Sequence, residues 1–329
     1  MRLRNQVVVV TGASSGIGRA TAEAFARKGC AVVLAARREE ALEATAEECA
    51  KHSGARTLVV PTDTTDVKAV DDLAERAVQE FGRIDVWVNN AAVNAFGRFE
   101  DVPLEDFRKV LDVNVMGYVH GARAALRVMR QQGTGTLVNI SSIAGAVSQP
   151  YSHPYSMSKH AVQGLGSSLR QQLRVEGVKG IHVCTVMPAT IDTPHFEQAA
   201  NYTRRKVVAM PPVYSPERVA KAVVDVVRHP QREVVVGPAG KALVRQARKA
   251  PGRAERVMAR QTDKSHLDHG QEAPHTHGAL HVPAPGEGAV HGGWGGRRRT
   301  AMRRTAVAAA LAGAAVTAGR RMSHGRVGA

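Results

Sequence analysis

The sequence predicts an α/β protein built on a doubly wound, seven-stranded parallel sheet with helices on both faces. Over residues 1–240, short apolar runs rich in β-branched residues alternate with longer segments of helical period. This alternation is typical of successive strand-helix-strand units. The first apolar run, at residues 7–10, leads into a glycine-spaced turn that opens a helix. Right-handed crossovers then fix how the strands connect.

The same patterns place the individual elements. Strands are predicted at residues 6–10, 31–35, 56–60, 84–88, 135–140, 180–186 and 233–236. Helical periodicity is found at residues 39–51, 67–81, 104–130 and 156–177. Seven strands covered by helices give a core that is large enough for an independent domain.

The composition changes near residue 240. Residues 241–329 carry 16 Lys and Arg against 5 Asp and Glu, whereas residues 1–240 carry 29 against 24. Most of the net charge of +16 therefore lies beyond residue 240. We expect a main domain at residues 1–240 and a basic helical extension at 241–264. A disordered linker rich in His, Gly and Pro is expected at 265–296, and an Arg- and Ala-rich tail at 297–329.

The glycine-spaced turn predicts a binding site for a dinucleotide. Gly12 allows a tight turn, Gly16 allows backbone N–H groups to approach a pyrophosphate, and Gly18 allows the helix to pack closely on the strand. The phosphates would then meet the positive end of a helix. An ordinary strand-turn-helix is the alternative, because a glycine triplet alone is a weak signal.

A second group of residues is suited to proton transfer. Tyr155 and Lys159 lie four residues apart in a helical segment, so their side chains share one face. A nearby ammonium favours the phenolate and is expected to lower the pKa of the tyrosine from its usual value of about 10. Ser142 follows a predicted strand, where its hydroxyl can hydrogen-bond the reacting oxygen. Hydride transfer to a carbon that bears oxygen needs such a proton partner.

These residues belong to a longer series of motifs. After the glycine turn come NNAA at residues 89–92, LDVN at 111–114, NISS at 139–142, YSMSK at 155–159 and PATIDT at 188–193. In this order they resemble the classical short-chain dehydrogenase/reductase (SDR) family over residues 1 to about 240. The resemblance implies a Rossmann-type fold and an NADP-binding catalytic domain at residues 1–240.

The resemblance also implies a role for each matching residue. Tyr155 would be the catalytic acid and base, Lys159 would tune it and hold the nicotinamide ribose, Ser142 would orient the substrate oxygen, and Asn114 would hold a water in a proton relay. Asp63 would contact the adenine and Thr193 the nicotinamide amide. The predicted cofactor-binding residues are Gly12, Ser14, Ser15, Gly16, Ile17, Gly18, Arg37, Arg38, Asp63, Asn90, Tyr155, Lys159, Pro188 and Thr193.

Several of these residues have structural alternatives. A tyrosine in a helix is usually half-buried packing, and a lysine usually lies on a solvated face. Ser142 would then merely cap a strand end. Asp63 would cap the helix that starts near Asp66, and Thr193 would cap a helix after Pro194. Independent packing needs do not explain the order of the motifs, so the catalytic interpretation is preferred.

The choice of cofactor depends on the residues after the second strand. An acidic residue there would accept hydrogen bonds from the ribose hydroxyls and repel a 2′-phosphate. Here the strand is followed by Arg37 and Arg38, and a guanidinium suits a phosphate. We therefore expect NADP(H) rather than NAD(H). The alternative is that both arginines form the charged start of an exposed helix.

The motifs favour an oxidoreductase that transfers a hydride between NADP(H) and a hydrophobic alcohol or ketone. His195, Phe196, Tyr202 and Met210 lie in a segment, 187–213, that is expected to cover the substrate. One alternative is a sugar-nucleotide epimerase or dehydratase of the extended group, which typically has a TGxxGxxG turn. The other is a non-enzymatic NADP-binding scaffold that acts through its basic tail.

The remaining features concern metals, partners and location. The histidines at 266, 269, 275, 277, 281 and 291 lack an acidic or cysteine framework, so no metal site is predicted. The apolar stretch at 305–318 is too short to cross a bilayer, although contact with a membrane surface is conceivable, and nucleic-acid binding is not expected. Three unpaired cysteines and the absence of a secretory signal predict a cytoplasmic protein. The family likeness implies a homodimer or homotetramer.

Overall fold

The computed structural model describes residues 3–52 and 55–295 and contains one seven-stranded parallel sheet. The strand order is β10-β7-β6-β4-β1-β2-β3. These strands are β1 (Val7–Thr11), β2 (Ala31–Ala36), β3 (Arg56–Pro61), β4 (Val86–Asn89), β6 (Gly135–Ile140), β7 (Ile181–Pro188) and β10 (Glu233–Val236). Shorter strands form two separate pairs, β5 (Ala95–Phe96) with β8 (Ala200–Asn201), and β9 (Arg205–Val207) with β11 (Leu267–Glu272).

Nine α-helices are found in the described residues. They are α1 (Gly16–Ala26), α2 (Glu39–Ala50), α3 (Val67–Phe81), α4 (Leu104–Leu111), α5 (Gly117–Gln132), α6 (His153–Val175), α7 (Pro216–Arg228), α8 (Pro238–Lys249) and α9 (Pro251–Ser265). No helix among residues 3–52 and 55–295 combines the length and the apolar character needed to span a bilayer.

The core lies on both faces of the sheet. In β1, Val8 and Val10 belong to one apolar cluster, and Val7 and Val9 belong to the cluster on the other face. All four side chains are almost completely buried. A strand that is covered on both faces reads as a continuous apolar run rather than an alternating one, which explains the run of four valines.

The structure confirms the predicted fold class and all seven strands of the main sheet to within two residues at each end. It divides the helix predicted at 104–130 into three pieces. Helices α4 and α5 are separated by a π-helical stretch at Asp112–Met116. The spacing of apolar residues does not reveal the π-helical stretch, because each π hydrogen bond spans only one residue more than an α-helical one.

The basic extension forms two helices that pack on the main domain. Helix α8 ends before Pro251, whose ring nitrogen carries no hydrogen and cannot continue the helical bonding. Val244 of α8 packs with Ile143 and Met187, which lie beside the sheet. Met258 of α9 is fully buried in a second small cluster.

The prediction of a disordered linker at 265–296 is wrong for its described part. Strand β11 pairs antiparallel with β9, and Leu280 is fully buried in a cluster with Tyr202. The segment lacks a periodic pattern of apolar residues. Single buried residues and hydrogen bonds to the main domain hold it in place instead. We call residues 274–295 the strap. The predicted tail at 297–329 lies outside the described residues.

Candidate active site

The turn after β1 brings a helix N-terminus to the carboxyl edge of the sheet. Gly12 and Gly16 have φ values of 67° and 53°, which side chains rarely adopt. A Cβ on Gly18 would lie 2.0 Å from the carbonyl oxygen of Gly12. The turn therefore requires glycine at each of these places, and its shape fits a pyrophosphate held by the start of α1.

Asn90 fixes this turn from the neighbouring strand. Its Nδ2 donates to the carbonyl oxygens of Thr11, at 2.9 Å, and of Gly12, at 3.3 Å. Its backbone N–H donates to Thr11 Oγ1 at 3.0 Å. Asn90 thus supports the shape of the dinucleotide cradle in addition to lining it.

Most of the predicted site residues line one cleft. Its cavity has a volume of about 240 Å³. Its lining includes Gly12, Ser14, Ser15, Gly16, Ile17, Arg37, Arg38, Asp63, Asn90, Ser142, Tyr155, Lys159, Pro188 and Thr193. Gly18 and Asn114 are not part of the lining. The roles that the resemblance implies for these residues stay predictions, but their common location is observed.

Tyr155 and Ser142 both line the cleft. Tyr155 comes from α6, and Ser142 follows the end of β6. Burial raises the pKa of the Tyr155 phenol to about 12, although the hydrogen bond with Ser142 acts in the opposite direction. The predicted lowering of this pKa is therefore wrong for the protein alone, because removal from water disfavours the charged phenolate.

Lys159 is a buried amine that pairs with no carboxylate among residues 3–52 and 55–295. Its Nζ donates to the carbonyl oxygen of Ile140 at 3.0 Å and to the hydroxyl of Tyr118 at 3.4 Å. It lies 5.4 Å from the centre of the Tyr155 ring. Burial lowers the pKa of Lys159 to about 7. The structure therefore excludes the alternative of a solvated lysine, since this side chain is only 1% exposed.

Tyr118 is a residue of this site that the sequence reasoning missed. Its hydroxyl accepts from Lys159 Nζ and donates to the carbonyl oxygen of Ile140 at 2.9 Å. Desolvation raises the pKa of this phenol well above its ordinary value. The spacing from Asn114 could have identified Tyr118, because residues four apart on a helix lie on one face.

Asn114 is fully buried and holds two parts of the chain together. Its Oδ1 accepts from the N–H of Val93, while its Nδ2 donates to the Val93 carbonyl and to Ser158 Oγ. These bonds use the acceptor and both donor hydrogens of the amide. The side chain of Asn114 therefore has no free donor hydrogen for a proton relay. The predicted relay role stays a prediction.

Arg37, Arg38 and Asp63 lie together at the end of the cleft below β2 and β3. Burial acts to raise the pKa of Asp63, but hydrogen bonds from Thr65 and the charges of Lys109 and Arg37 hold it below the ordinary value. Asp66, and not Asp63, caps α3, because it accepts from the N–H groups of Lys68 and Ala69. The capping alternative for Asp63 is therefore wrong.

Only part of the expected substrate cover reaches the cleft. His195 and Phe196 line it, whereas Tyr202 and Met210 are absent from its lining. Tyr202 bonds to Asp106, and Met210 packs with Met258. Thr193 occupies the predicted cap position before Pro194, but its side chain makes no capping hydrogen bond.

His195 presents a buried polar atom that has no partner within the described chain. Its Nε2 is shielded from solvent and makes no hydrogen bond. Its ring centre lies 5.5 Å from that of Tyr155. Burial, together with the charge of Lys159, lowers the pKa of His195 to about 4. The imidazole is therefore neutral at physiological pH and can donate to or accept from a ligand.

Comparison with known proteins agrees with this geometry. The family model for short chain dehydrogenase matches residues 6–203. The uncharacterized oxidoreductase YxnA of Bacillus subtilis is 38% identical over 259 residues, which cover 78% of this chain and 72% of that protein. An uncharacterized oxidoreductase of Staphylococcus aureus is 35% identical over 240 residues, covering 72% and 98% respectively.

Solved structures show the same similarity. A short chain dehydrogenase/reductase from Burkholderia phymatum in complex with NAD is 29% identical, with a TM-score of 0.69, covering 77% of this chain and 96% of that one. An alcohol dehydrogenase from the archaeon Thermococcus sibiricus, complexed with 5-hydroxy-NADP, is 26% identical. Its TM-score is 0.62, and the match covers 71% of this chain and 96% of that one.

The fold and the cleft therefore define a nicotinamide-dependent oxidoreductase with a doubly wound sheet. The chain belongs to the short-chain dehydrogenase/reductase family. As a member of this family it depends on NAD(H) or NADP(H) and acts on a small-molecule substrate.

Proposed function

We propose that this protein interconverts hydrophobic alcohols and ketones with NADP(H) as the cofactor. The observation that carries the proposal is that Ser142, Tyr155 and the buried Lys159 line one cleft, which begins at the glycine turn. A phenol, a hydroxyl and an amine in one water-poor site are the groups that proton transfer to a carbonyl oxygen requires.

The residues divide the proton chemistry between them. In reduction, the Tyr155 hydroxyl gives its proton to the substrate oxygen, while Ser142 hydrogen-bonds that oxygen. In oxidation, the phenolate takes the proton of the alcohol. A bound nicotinamide accepts or supplies the hydride. Lys159, whose Nζ lies 5.4 Å from the centre of the Tyr155 ring, would stabilise the phenolate when it is protonated and would also bind the nicotinamide ribose.

Arg37 and Arg38 support NADP(H) as the cofactor. Both line the cleft where the adenosine ribose is expected, and no carboxylate ends β2. Burial lowers the pKa of each guanidinium, but an arginine remains charged in proteins. Two cations at this place favour a 2′-phosphate over a free hydroxyl.

His195 and Phe196 support an apolar substrate that has one further polar group. The two rings contact each other with centres 5.6 Å apart and form part of the cleft wall near Tyr155. A buried donor or acceptor without a partner is costly, and Nε2 of His195 is such an atom. A substrate that hydrogen-bonds this nitrogen would remove that cost.

Turnover of a panel of hydrophobic ketones and alcohols tests the proposal. Tyr155→Phe is expected to lower kcat by about 10²-fold to 10⁴-fold, because general acid-base catalysis is typically of this size. Tyr151→Phe is the matched control, since Tyr151 lies four residues earlier, before α6 begins, and its hydroxyl contacts Asp263 instead. Equal rates for Tyr155→Phe and the unchanged protein, with NADP(H) still bound, would contradict the catalytic assignment and favour a binding role.

A further inference from the structure

The strap crosses the part of the cleft that is expected to bind the phosphates and adenosine. Arg37 donates to the carbonyl oxygens of residues 279, 280 and 281, and Arg38 donates to those of residues 284, 285 and 286. The N–H of Gly16, at the start of α1, donates to the carbonyl oxygen of Ala289 at 2.8 Å. Strap carbonyls therefore occupy the donors that a dinucleotide phosphate would need.

One end of the strap is held by a cluster of metal-binding side chains. His281 Nε2 lies 2.7 Å from Asp106 Oδ1, and His277 Nδ1 lies 3.1 Å from Asp106 Oδ2. One ligand atom from each of the three residues lies within 4.8 Å of the others. Asp106 belongs to α4, so the cluster joins the strap to a helix about 170 residues earlier in the chain.

The cluster has the chemistry of a transition-metal site. Two imidazole nitrogens and a carboxylate oxygen are common ligands of Zn²⁺, and tetrahedral ligands at the usual bond lengths lie roughly 3.3 Å apart. The Asp106 side chain is 0% exposed, whereas the side chains of His277 and His281 are 58% and 43% exposed. An ion would therefore have a fixed, buried anionic ligand and an approach from solvent.

Hydrogen bonds fix the position of the buried Asp106 carboxylate. The Tyr202 hydroxyl donates to Asp106 Oδ2 and lies 3.1 Å from His277 Nδ1. This hydroxyl fixes the carboxylate in the way that partners of metal ligands usually do.

We propose that Asp106, His277 and His281 bind a divalent transition-metal ion, best matched by Zn²⁺, and that the ion fastens the strap across the cofactor cleft. Each imidazole binds the ion through the nitrogen that faces Asp106, so its proton lies on the other ring nitrogen or is released to water. The effect on the cofactor rests on the proposed NADP(H) site, whereas binding of the ion does not.

Zn²⁺ titration of the full chain against a chromogenic chelator tests the site. We expect one tightly bound ion per chain, and His277→Ala and His281→Ala should each weaken its binding at least about tenfold. His275→Ala is the matched control, because His275 lies in the strap and packs on Tyr202 outside the cluster. Absence of tight binding, or equal losses in all three variants, would overturn the proposal.

Co²⁺ absorption gives a second readout that does not depend on activity. A tetrahedral site gives intense visible bands, which should be present in the unchanged protein and in His275→Ala but absent in His277→Ala. Retention of these bands in His277→Ala and His281→Ala would place the ion elsewhere and overturn the assignment. Melting curves of each variant show that the chain is still folded.

The dissociation constant of NADP(H), measured with and without Zn²⁺, tests the fastening of the strap. Zn²⁺ should weaken NADP(H) binding several-fold in the unchanged protein and not in His277→Ala. Unchanged or tighter NADP(H) binding in the presence of bound Zn²⁺ would overturn the competition. Failure of the proposed enzyme activity would leave the Zn²⁺ titration unaffected, so the two failures are distinguishable.

Discussion

Lys159 has an ionisable amine in the protein interior, where the charged form is disfavoured. The residue is 1% exposed, and in the part of the chain that the structure describes its amine hydrogen-bonds to one carbonyl and one hydroxyl. The lowered pKa of about 7 means that the folded state resists protonation of this amine. In the proposed mechanism the same amine acts on Tyr155 and on the cofactor, so stability would be given up here for function.

Lys159→Met is expected to abolish turnover and to raise the melting temperature at pH 7. The folded pKa lies below the unfolded value of about 10.4, so the penalty is full below pH 7 and disappears as the pH rises toward 10.4. The stabilisation by methionine should therefore shrink over this window. Melting temperatures of both proteins from pH 6 to pH 10 provide the measurement, and a difference that grows with pH would refute the assignment.

Arg37 is the residue that we expect to distinguish the two nicotinamide cofactors. Arg37→Ala should weaken NADP(H) binding about tenfold or more relative to NAD(H), because it removes a charge-assisted hydrogen bond to the 2′-phosphate. Arg37 also holds the strap, but loss of that contact affects both cofactors alike. The ratio of the two dissociation constants is therefore the quantity to measure.

Arg27→Ala is a suitable control for this prediction, since Arg27 pairs with Glu23 and is absent from the cleft lining. An unchanged ratio of the dissociation constants in Arg37→Ala would show that the arginine does not select the phosphate.

At the scale of the element, the site depends on how closely α1 packs against the turn after β1. Gly18 lies inside α1, where a side chain would collide with the backbone of Gly12. The π-helical stretch at Asp112–Met116 similarly changes the direction of the side chains between α4 and α5. Helix geometry, and not only residue type, therefore shapes the cleft.

Gly18→Ala is expected to lower both the melting temperature and cofactor affinity, because its Cβ would lie 2.0 Å from a carbonyl oxygen. Gly164→Ala is the matched control in α6, where an added Cβ meets nothing within 4 Å. That change should stabilise the protein by roughly 0.5–1 kcal/mol through helix propensity. Thermal unfolding and cofactor titration of both variants provide the measurement. An unchanged melting temperature and cofactor affinity in Gly18→Ala would argue against close packing of α1 on the turn after β1.

At the scale of the whole molecule, the cofactor cleft is built from two distant parts of the chain. The main domain supplies the glycine turn and the arginines, and the strap supplies the carbonyls that they bind. Trp294 Nε1 also donates to the Thr193 carbonyl at the other end of the cleft. The predicted homodimer or homotetramer stays a prediction, because a single chain is described.

A chain that ends at residue 273 is expected to bind NADP(H) several-fold more tightly than a chain that ends at 295, and to retain turnover. Its melting temperature should fall, since burial of Leu280 contributes roughly 1.5–3 kcal/mol. Cofactor titration and calorimetry of the two truncated chains measure both effects. Weaker NADP(H) binding after removal of the strap would show that the strap supports the cofactor instead of competing with it.

The strands, most helices and most of the cleft residues could be predicted from the sequence, because each depends on local periodicity or on short spacing. The run of valines in β1 and the glycines after it specify their structure within about twelve residues. The spacing of Tyr155 and Lys159 likewise places both on one helix face. These features need no knowledge of the rest of the chain.

The direction of the pKa shift of Tyr155, the contact of Tyr118 with Lys159 and the order of the strap depend on tertiary contacts and could not be predicted from the sequence. Asp106, the acidic ligand that the histidine-rich segment lacks locally, lies about 170 residues earlier in the chain. The physical reason is the same in each case. Burial and long-range hydrogen bonds are set by neighbours in space, and no local pattern records which distant residues become neighbours.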